Sequence, residues 1–201
     1  MTKEKRPLVV AEAVAMRLSD LLAPSCDRLM IGGSIRRRRP DVGDIELIAI
    51  PRVVTASSDS LADLFGFSSA APSQTLSVNL LWKQLDSLKV EYSKKGPRYR
   101  RFEYDGWEVD CFTADRDNYG MIALIRTGSA EFSQWVMGEL NKAGLTSSEG
   151  RLHKRAKQPT GEYKAVGDAI RTPEEIDVFR AAGHQYLDPP QRNHAPGVWR
   201  R

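Results

Sequence analysis

The sequence has few of the residues that build covalent cross-links and zinc sites. It contains two cysteines, Cys26 and Cys111, and their number and spacing fit neither a disulfide framework nor a cysteine metal knuckle. Its three histidines are scattered late in the chain, which argues against a zinc centre and against a histidine-based catalytic triad. We therefore expect both cysteines to be reduced core residues of a cytosolic protein.

A long apolar segment is also missing. No run approaches the roughly 20 apolar residues that cross a bilayer, and the N-terminus "MTKEKRPLVV" lacks the apolar core and cleavage site of a signal peptide. At 201 residues, with 41% hydrophobic and 28% charged residues, the chain matches one soluble domain or a domain with a small appendage. We expect a cytoplasmic monomer that contacts no membrane, with nucleoid association or a viral or mobile-element origin as further options.

The stretch Gly32–Pro51, "GGSIRRRRPDVGDIELIAIP", places a glycine turn and four consecutive arginines ahead of two acids on an apolar strand. Side chains two positions apart on a strand share a face, so Asp44 and Glu46 lie side by side while Ile45 and Leu47 point the other way. Adjacent carboxylates repel each other. A divalent metal ion is the natural compensating charge.

A third carboxylate follows on a later strand, "WEVDCF". Strand alternation places Glu108 and Asp110 on one face and apolar residues on the other. Together with Asp44 and Glu46, Asp110 makes a set of three oxygen ligands that suits one or two Mg²⁺ ions. Two such ions can activate an attacking hydroxyl and stabilise the leaving phosphate of an in-line displacement.

The turn ahead of the acids suits an anion. Gly32, Gly33 and Ser34 expose backbone N–H groups and a hydroxyl, and the arginines after them can neutralise a triphosphate. A glycine–serine turn with arginines, an acidic pair and a distant aspartate are together the groups that nucleotidyl transfer needs. The whole set, and not the turn alone, indicates this chemistry.

This set of motifs resembles the nucleotidyltransferase superfamily, and within it the family X DNA polymerases, the group that contains DNA polymerase β. The family's motifs are matched by "GSIRR" at 33–37, "GDIE" at 43–46, "VD" at 109–110 and "TGSAEF" at 127–132. The resemblance covers about residues 8–192. It implies an α+β fold, in which a nucleotidyltransferase palm, a mixed β-sheet with flanking helices, is followed by a small α+β thumb subdomain.

The resemblance also implies the residues of the site. Asp44, Glu46 and Asp110 would be the catalytic residues and would hold two Mg²⁺ ions, for which Mn²⁺ can substitute. Asp110 would also help to deprotonate the primer 3′-hydroxyl. Five residues would bind the nucleoside triphosphate, the first three at its phosphates and the last two at its sugar: Gly33, Ser34, Arg37, Thr127 and Gly128.

The chain departs from the family's pattern in the site itself. Glu46 stands where the family usually has aspartate, and its additional methylene moves the carboxylate without removing its charge. Ile125 and Arg126 precede the Thr-Gly turn, where the family has an aromatic pair. The first departure moves a carboxylate, and at the second Ile125 leaves more room beside the nucleotide sugar than an aromatic ring would.

The chain begins at the palm, with no segment that resembles a lyase domain or a helix-hairpin-helix module, so the resemblance implies a minimal form. We expect three parts: a palm over residues 1–126, a thumb-like subdomain over residues 127–190, and a basic, extended tail over residues 191–201.

Hydrophobic periodicity predicts the elements around the motifs. Helices are expected at 7–23, 77–88, 118–126, from Thr127 or Ser129 to Gly144, and after Thr172. Strands are expected at 28–34, 44–50, 89–93, 99–105 and 107–114, with a short hairpin at 149–154 followed by a polar loop. Residues 55–75 are expected to form a surface excursion with one helical turn.

Given the resemblance to DNA polymerases, the basic clusters of the sequence are candidate DNA-binding sites. The segment "KKGPRYRR" has five cations in eight residues, and the expected thumb loop adds more. The alternative for such a run is a solvated hairpin. We predict that the following residues contact DNA phosphates: Lys94, Lys95, Arg98, Arg100, Arg101, Lys154 and Arg155.

The expected activity is metal-dependent addition of nucleotides to a primer 3′-hydroxyl, in gap filling or end extension during DNA repair. The expected partners are DNA, as a primer–template, gapped or with free ends, and nucleoside triphosphates. Two alternatives remain open. One is a catalytically silent DNA-binding module, against which the intact Asp44 and Asp110 argue. The other is a nucleotidyltransferase for RNA, protein or a small molecule, against which the thumb-like last third argues.

Overall fold

The computed structural model describes residues 4–57 and 75–197. Within these stretches the helices are α1 (Leu8–Leu22), α2 (Gly33–Arg36), α3 (Leu80–Ser87), α4 (Tyr119–Thr127), α5 (Ala130–Lys142) and α6 (Glu175–Ala181). The strands are β1 (Arg6–Pro7), β2 (Cys26–Ile31), β3 (Asp41–Val42), β4 (Ile45–Pro51), β5 (Val53–Ser57), β6 (Thr75–Asn79), β7 (Tyr92–Lys95), β8 (Tyr99–Tyr104), β9 (Trp107–Thr113), β10 (Leu145–Ser148), β11 (Arg151–Lys157) and β12 (Tyr163–Ile170). Most of the expected excursion, residues 58–74, and the end of the expected tail, residues 198–201, lie outside the described residues.

A five-stranded mixed sheet forms the centre of the fold, in the order β2-β4-β9-β8-β7. Strands β4 and β9 run parallel, and the other neighbouring pairs of this sheet are antiparallel. Helices and strands of both kinds pack in the same molecule, so the expected α+β class is confirmed.

Helix α1 covers one face of this sheet. Its buried residues recur at three- and four-residue spacing and form a single apolar stripe. The stripe shares a core cluster with fully buried residues of the two central strands, Ile45, Leu47, Val109 and Cys111. Because strand side chains alternate, the residues between these four project from the opposite face.

That opposite face is covered by α4. Ile48 of β4 packs with Tyr119 and Ala123 of α4 in a small buried cluster. Since Ile48 is two residues beyond Glu46, both side chains project from the same face. The acids therefore lie on the face covered by α4, closer to the start of β4.

The C-terminal part has its own core. Strands β10, β11 and β12 form an antiparallel sheet, and α5 and α6 pack with it around Phe132 and Phe179. Met121 and Leu124 of α4 join this second cluster, so α4 contacts both cores. The expected cap of α5 is confirmed at Ser129, whose hydroxyl accepts a hydrogen bond from the Phe132 N–H at 3.1 Å.

Ion pairs join the start of α6 to the central sheet and to α2. Arg28 binds Glu174 in bidentate fashion at 2.7 and 2.8 Å, and Arg36 binds Glu175 at the same two distances. Arg192 is fully buried and donates a third contact to Glu175 at 2.6 Å. Burial alone would raise the pKa of Glu175, but hydrogen bonds from Arg36 and Arg192 lower it below its ordinary value.

Most expected elements are confirmed, including the hairpin turn at Asp105 and Gly106. Their φ values of 50° and 70° are the left-handed pair that a type I′ turn needs. The expected polar loop after the 149–154 hairpin is wrong in part, because Tyr163–Ile170 pairs with β11 as β12. Most of β12 is exposed, so it lacks the apolar alternation that predicts a strand.

Helices that combine the length and hydropathy of a membrane span are absent from residues 4–57 and 75–197.

Candidate metal and nucleotide site

The parallel pairing of β4 with β9 brings the acids together. Glu46 lies directly opposite Asp110 in this pair. Asp44 precedes Glu46 by two residues and Glu108 precedes Asp110 by two, so strand alternation turns all four carboxylates to the same face. The structure therefore places the expected ligands Asp44, Glu46 and Asp110 on one face, and Glu108 lies on the same face.

Three of the four acids form the tighter group. One carboxylate oxygen from each of Asp44, Glu108 and Asp110 lies within 4.8 Å of the others. Asp110 is buried, and the other two are partly buried. Hard oxygen donors at this separation fit Mg²⁺ or Mn²⁺, which favour carboxylate ligands. This arrangement can bind a metal.

Glu46 lies outside that group of three and packs against the glycine turn. Gly33 has a φ of +59°, and a side chain there would collide with the Glu46 carboxylate. Burial, followed by the charges of Asp44 and Asp110, raises the pKa of Glu46 to about 7. The longer acid at this position thus reaches the turn, and Gly33 leaves the room that it needs.

Asp110 is bound by two side chains of β8. Arg101 lies opposite Asp110 in the sheet and donates from Nε at 2.6 Å and from Nη2 at 2.8 Å. The Tyr99 hydroxyl donates to the same carboxylate at 2.6 Å. The hydrogen bond to Asp110 is the main reason that the pKa of Arg101 rises, and burial, followed by the same carboxylate, raises the pKa of Tyr99 to about 12. Arg101 also lies 3.3 Å from Glu108, so one guanidinium holds two acids.

A basic cavity of about 530 Å³ opens beside Asp44. It is lined by Ser34 and Arg37 of the glycine–serine turn, as expected from the motif. The Ser34 hydroxyl is buried and has no hydrogen-bond partner among the described residues, so it is available to an anion. Further groups line it as well, and Asp41 is a second acid beside Asp44; the cationic and polar ones are Lys5, Arg39, Ser129, Asn193 and His194.

Arg37 is held in place by the C-terminal part of the chain. It donates to the Thr127 carbonyl at 2.5 Å and to Asn193 Oδ1 at 3.1 Å. Burial lowers the pKa of Arg37, and the nearby Glu46 charge opposes that shift. The guanidinium is thus partly desolvated, which strengthens its attraction for an anion.

The expected sugar-side residues form the turn between α4 and α5. The Thr127 hydroxyl is fully buried and accepts a hydrogen bond from Arg36 at 2.8 Å. A side chain at Gly128 would collide with the ring of Phe132. Both residues therefore fix the turn whose Thr127 carbonyl accepts the hydrogen bond from Arg37. The Thr127 side chain and the side-chain position of Gly128 both face other protein atoms.

A second cavity, of about 420 Å³, is also lined by acids of the central sheet. Glu46 and Asp110 line it together with Arg126. The Arg126 guanidinium stacks on Phe112 at 3.9 Å, and Phe112 also stacks on Tyr99 with a centroid distance of 4.8 Å. In the sequence Arg126 is visible only as a departure from the family's aromatic pair, because its position in this stack depends on non-local packing.

The predicted DNA-binding residues are distributed unevenly. Lys94 is exposed, Lys95 pairs with Asp86 at 3.0 Å, and Arg98 is exposed at the rim of the second cavity. Arg100 corrects the prediction, because its side chain is buried over Trp82. Arg101 is bound to Asp110 and so is not free to bind phosphate.

Glu108 is the functional candidate that sequence reasoning missed. Its position two residues before Asp110 was the available signal, because that spacing already placed both on one face.

The last two predicted DNA-binding residues, Lys154 and Arg155, lie on β11. This strand belongs to the C-terminal sheet, whereas the acids belong to the central sheet.

A scan of known protein-family models and a search of curated proteins find no match to this chain. Its function therefore has to be inferred from the acids, the two cavities and the motif resemblance.

Proposed function

We propose that the protein is a metal-dependent nucleotidyltransferase that adds nucleotides to the 3′-hydroxyl of a DNA primer, in gap filling or end extension. The observation that carries this proposal is the position of Asp44. It belongs to the acidic group and also lines the basic cavity. A phosphate bound by the basic residues would therefore adjoin the carboxylates that can hold metal, which is the juxtaposition that phosphoryl transfer requires.

The residues of the site would have two roles, phosphate binding and metal binding. Ser34 and Arg37 would bind the triphosphate, one through its available hydroxyl and the other through a partly desolvated guanidinium. Asp44, Glu108 and Asp110 would hold one or two Mg²⁺ or Mn²⁺ ions. When bound, such ions stabilise the charge that develops on the transferred phosphate and lower the pKa of an attacking hydroxyl.

The second cavity would take the acceptor end of the primer. Asp110 lines it, so a 3′-hydroxyl there would adjoin the buried carboxylate that can receive its proton. Asp44 lines the first cavity and Asp110 lines the second, so members of the one acidic group would adjoin both substrates. In this proposal the central sheet is the palm and the C-terminal sheet with α5 and α6 is the thumb.

The test is an extension assay with a labelled primer on gapped DNA, run with dNTPs and with Mg²⁺, Mn²⁺ or EDTA. We expect primer extension that needs the metal and is lost in Asp110→Asn and Asp44→Ala. Asp20→Asn, an exposed acid of α1, is the matched control and should extend normally.

Parallel reactions with an RNA primer and with single-stranded DNA define the acceptor. Binding of gapped DNA without any nucleotide transfer, under every metal condition, would overturn the proposal in favour of a silent DNA-binding module. Transfer to RNA but not to DNA would overturn the choice of substrate.

A further inference from the structure

Strands β11 and β12 form a ribbon that packs at its base against the core of the described C-terminal residues. Leu152 is fully buried and Ile170 packs against the same core. Away from this base, the side chains of β12 are exposed from Tyr163 to Asp168, with Ala165 partly covered. Most of the ribbon thus contributes little buried area to the fold, so its surface residues are not there to fill a core.

One face of the ribbon combines an exposed aromatic ring with two cations. Lys157 lies directly opposite Tyr163, and Arg155 lies opposite Ala165. Directly paired residues share a face, so Arg155, Lys157 and Tyr163 project together. The Arg155 guanidinium sits 3.8 Å from the Tyr163 ring centroid, yet the tyrosine remains 57% exposed. The ring is held from one side and presents surface to solvent.

The charge on this face is of one sign. Lys164 and Val166 lie opposite Ala156 and Lys154, so they project from the other face, and Asp168 lies beyond them, where the pairing register shifts. Glu162 precedes the strand and lies 4.0 Å from Lys164. A face with two cations and an exposed ring is complementary to a polyanion that also carries flat, unpaired bases.

The ribbon begins at the second cavity. Glu149 and Gly150, in the turn before β11, line that cavity together with Asp110. From Arg151 to Lys157 the strand extends about 20 Å at ordinary strand rise. A nucleic-acid strand that leaves the cavity would therefore meet the start of the ribbon and can follow it outward.

We propose that the Tyr163 face of the β11–β12 ribbon binds single-stranded DNA, with one unpaired base stacked on Tyr163 and the backbone phosphates on Arg155 and Lys157. Duplex DNA does not fit this face as well, because its bases are stacked internally and offer no free ring to the tyrosine. The choice of DNA over RNA rests on the proposed function; the stacking and charge arguments do not.

The test is binding of a fluorescently labelled single-stranded DNA oligonucleotide to the full chain, measured by anisotropy in EDTA and without nucleotide. A blunt duplex of the same sequence is the second probe. We expect Tyr163→Ala to weaken single-strand binding about tenfold, the loss typical of one stacked base, and to leave duplex binding within about twofold. Tyr163→Phe keeps the ring and should bind as the parent does.

Lys157→Ala should weaken single-strand binding and lower its salt dependence, since it removes a cation that neutralises a phosphate. Lys142→Ala, an exposed cation of α5, is the matched control and should change neither. Equal affinity of the parent and Tyr163→Ala for the single strand would overturn the proposal, and so would a parent that binds only duplex. Because these measurements contain no metal or nucleotide, lost primer extension with intact Tyr163-dependent binding would count against the proposed enzyme activity alone.

Discussion

At the scale of single residues, Asp110 is the most constrained group of the site. It is buried, it adjoins two other acids, and it accepts hydrogen bonds from Arg101 and Tyr99. Arg101 supplies positive charge to Asp110 and to Glu108. A metal ion held by the same carboxylates would supply charge of the same sign, so it would compete with Arg101 for Asp110.

We therefore expect Arg101→Gln to bind Mn²⁺ more tightly than the parent, by about tenfold, because the competing cation is removed. Each tenfold change corresponds to about 1.4 kcal/mol. Isothermal titration with Mn²⁺ measures the affinity directly. Arg98→Gln, at the rim of the same cavity, is the control and should match the parent. Unchanged or weaker binding by Arg101→Gln would show that the guanidinium does not compete.

The identity of the third metal ligand can be decided between Glu108 and Glu46. The geometry favours Glu108, since it belongs to the group within 4.8 Å whereas Glu46 packs against Gly33. We expect Glu108→Gln to weaken Mn²⁺ binding by more than about tenfold and Glu46→Gln to weaken it by less than about threefold. Isothermal titration of the two variants side by side measures both changes. The reverse order would restore Glu46 as the ligand, as the family resemblance implied.

At the scale of helices and strands, the sequence predicted the elements whose hydrophobic pattern is visible within the element itself. The apolar stripe of α1 and the side-chain alternation of β4 and β9 are local patterns, so they could be read from the sequence. The roles of Arg101 and Arg126 could not, because each depends on a partner strand or helix that packs against it from elsewhere in the chain. Strand β12 was missed for the opposite reason: it is held by pairing with β11 and has little burial to mark it.

At the start of α6, the Glu175 carboxylate stabilises the partly buried Arg36 and the fully buried Arg192. We expect Glu175→Gln to destabilise the protein by about 3–5 kcal/mol at neutral pH, because Arg36 and the fully buried Arg192 lose their partner. Urea unfolding measures this change in the free energy of unfolding. Glu174→Gln is the matched control: its partner Arg28 is solvent-exposed, and the cost should be at most about 1 kcal/mol.

The same carboxylate predicts a pH dependence. The pKa of Glu175 is lowered in the folded protein from an ordinary value of 4.5, so its contribution is complete above that pH and is lost as the pH falls through the lower, folded value. The parent should therefore lose unfolding free energy as the pH drops below about 4.5, and Glu175→Gln should lose less over the same range. Urea unfolding at a series of pH values measures both profiles, and parallel profiles for the two proteins would remove Glu175 as the source.

At the scale of the whole molecule, the basic hairpin of β7 and β8 exposes fewer cations than the sequence suggested. With Arg100 buried and Arg101 bound to Asp110, its exposed cations are Lys94, Lys95, which pairs with Asp86, and Arg98, which pairs with Glu149. DNA affinity carried by a few such cations is weak and depends steeply on salt.

We expect the combined change of Lys94, Lys95 and Arg98 to alanine to weaken duplex DNA binding. The slope of log affinity against log salt should fall by about 2–3, close to 0.9 for each phosphate that is no longer neutralised. Anisotropy titrations over a range of salt concentrations measure the slope. The control removes two exposed cations elsewhere, Lys142 and Arg180. An unchanged slope would make the hairpin an ordinary solvated surface.

The parallel contact between β4 and β9 also bears on how the protein folds. The antiparallel pair of β8 and β9 in the same sheet is joined by a tight turn and can form as soon as that turn closes. The β4–β9 contact instead joins segments far apart in the sequence, and it must bring like charges together as it closes. During synthesis the acids of β4 therefore emerge long before those of β9. Closure of this one strand pair is thus the step at which divalent ions would accelerate folding, by relieving the repulsion in the folding transition state.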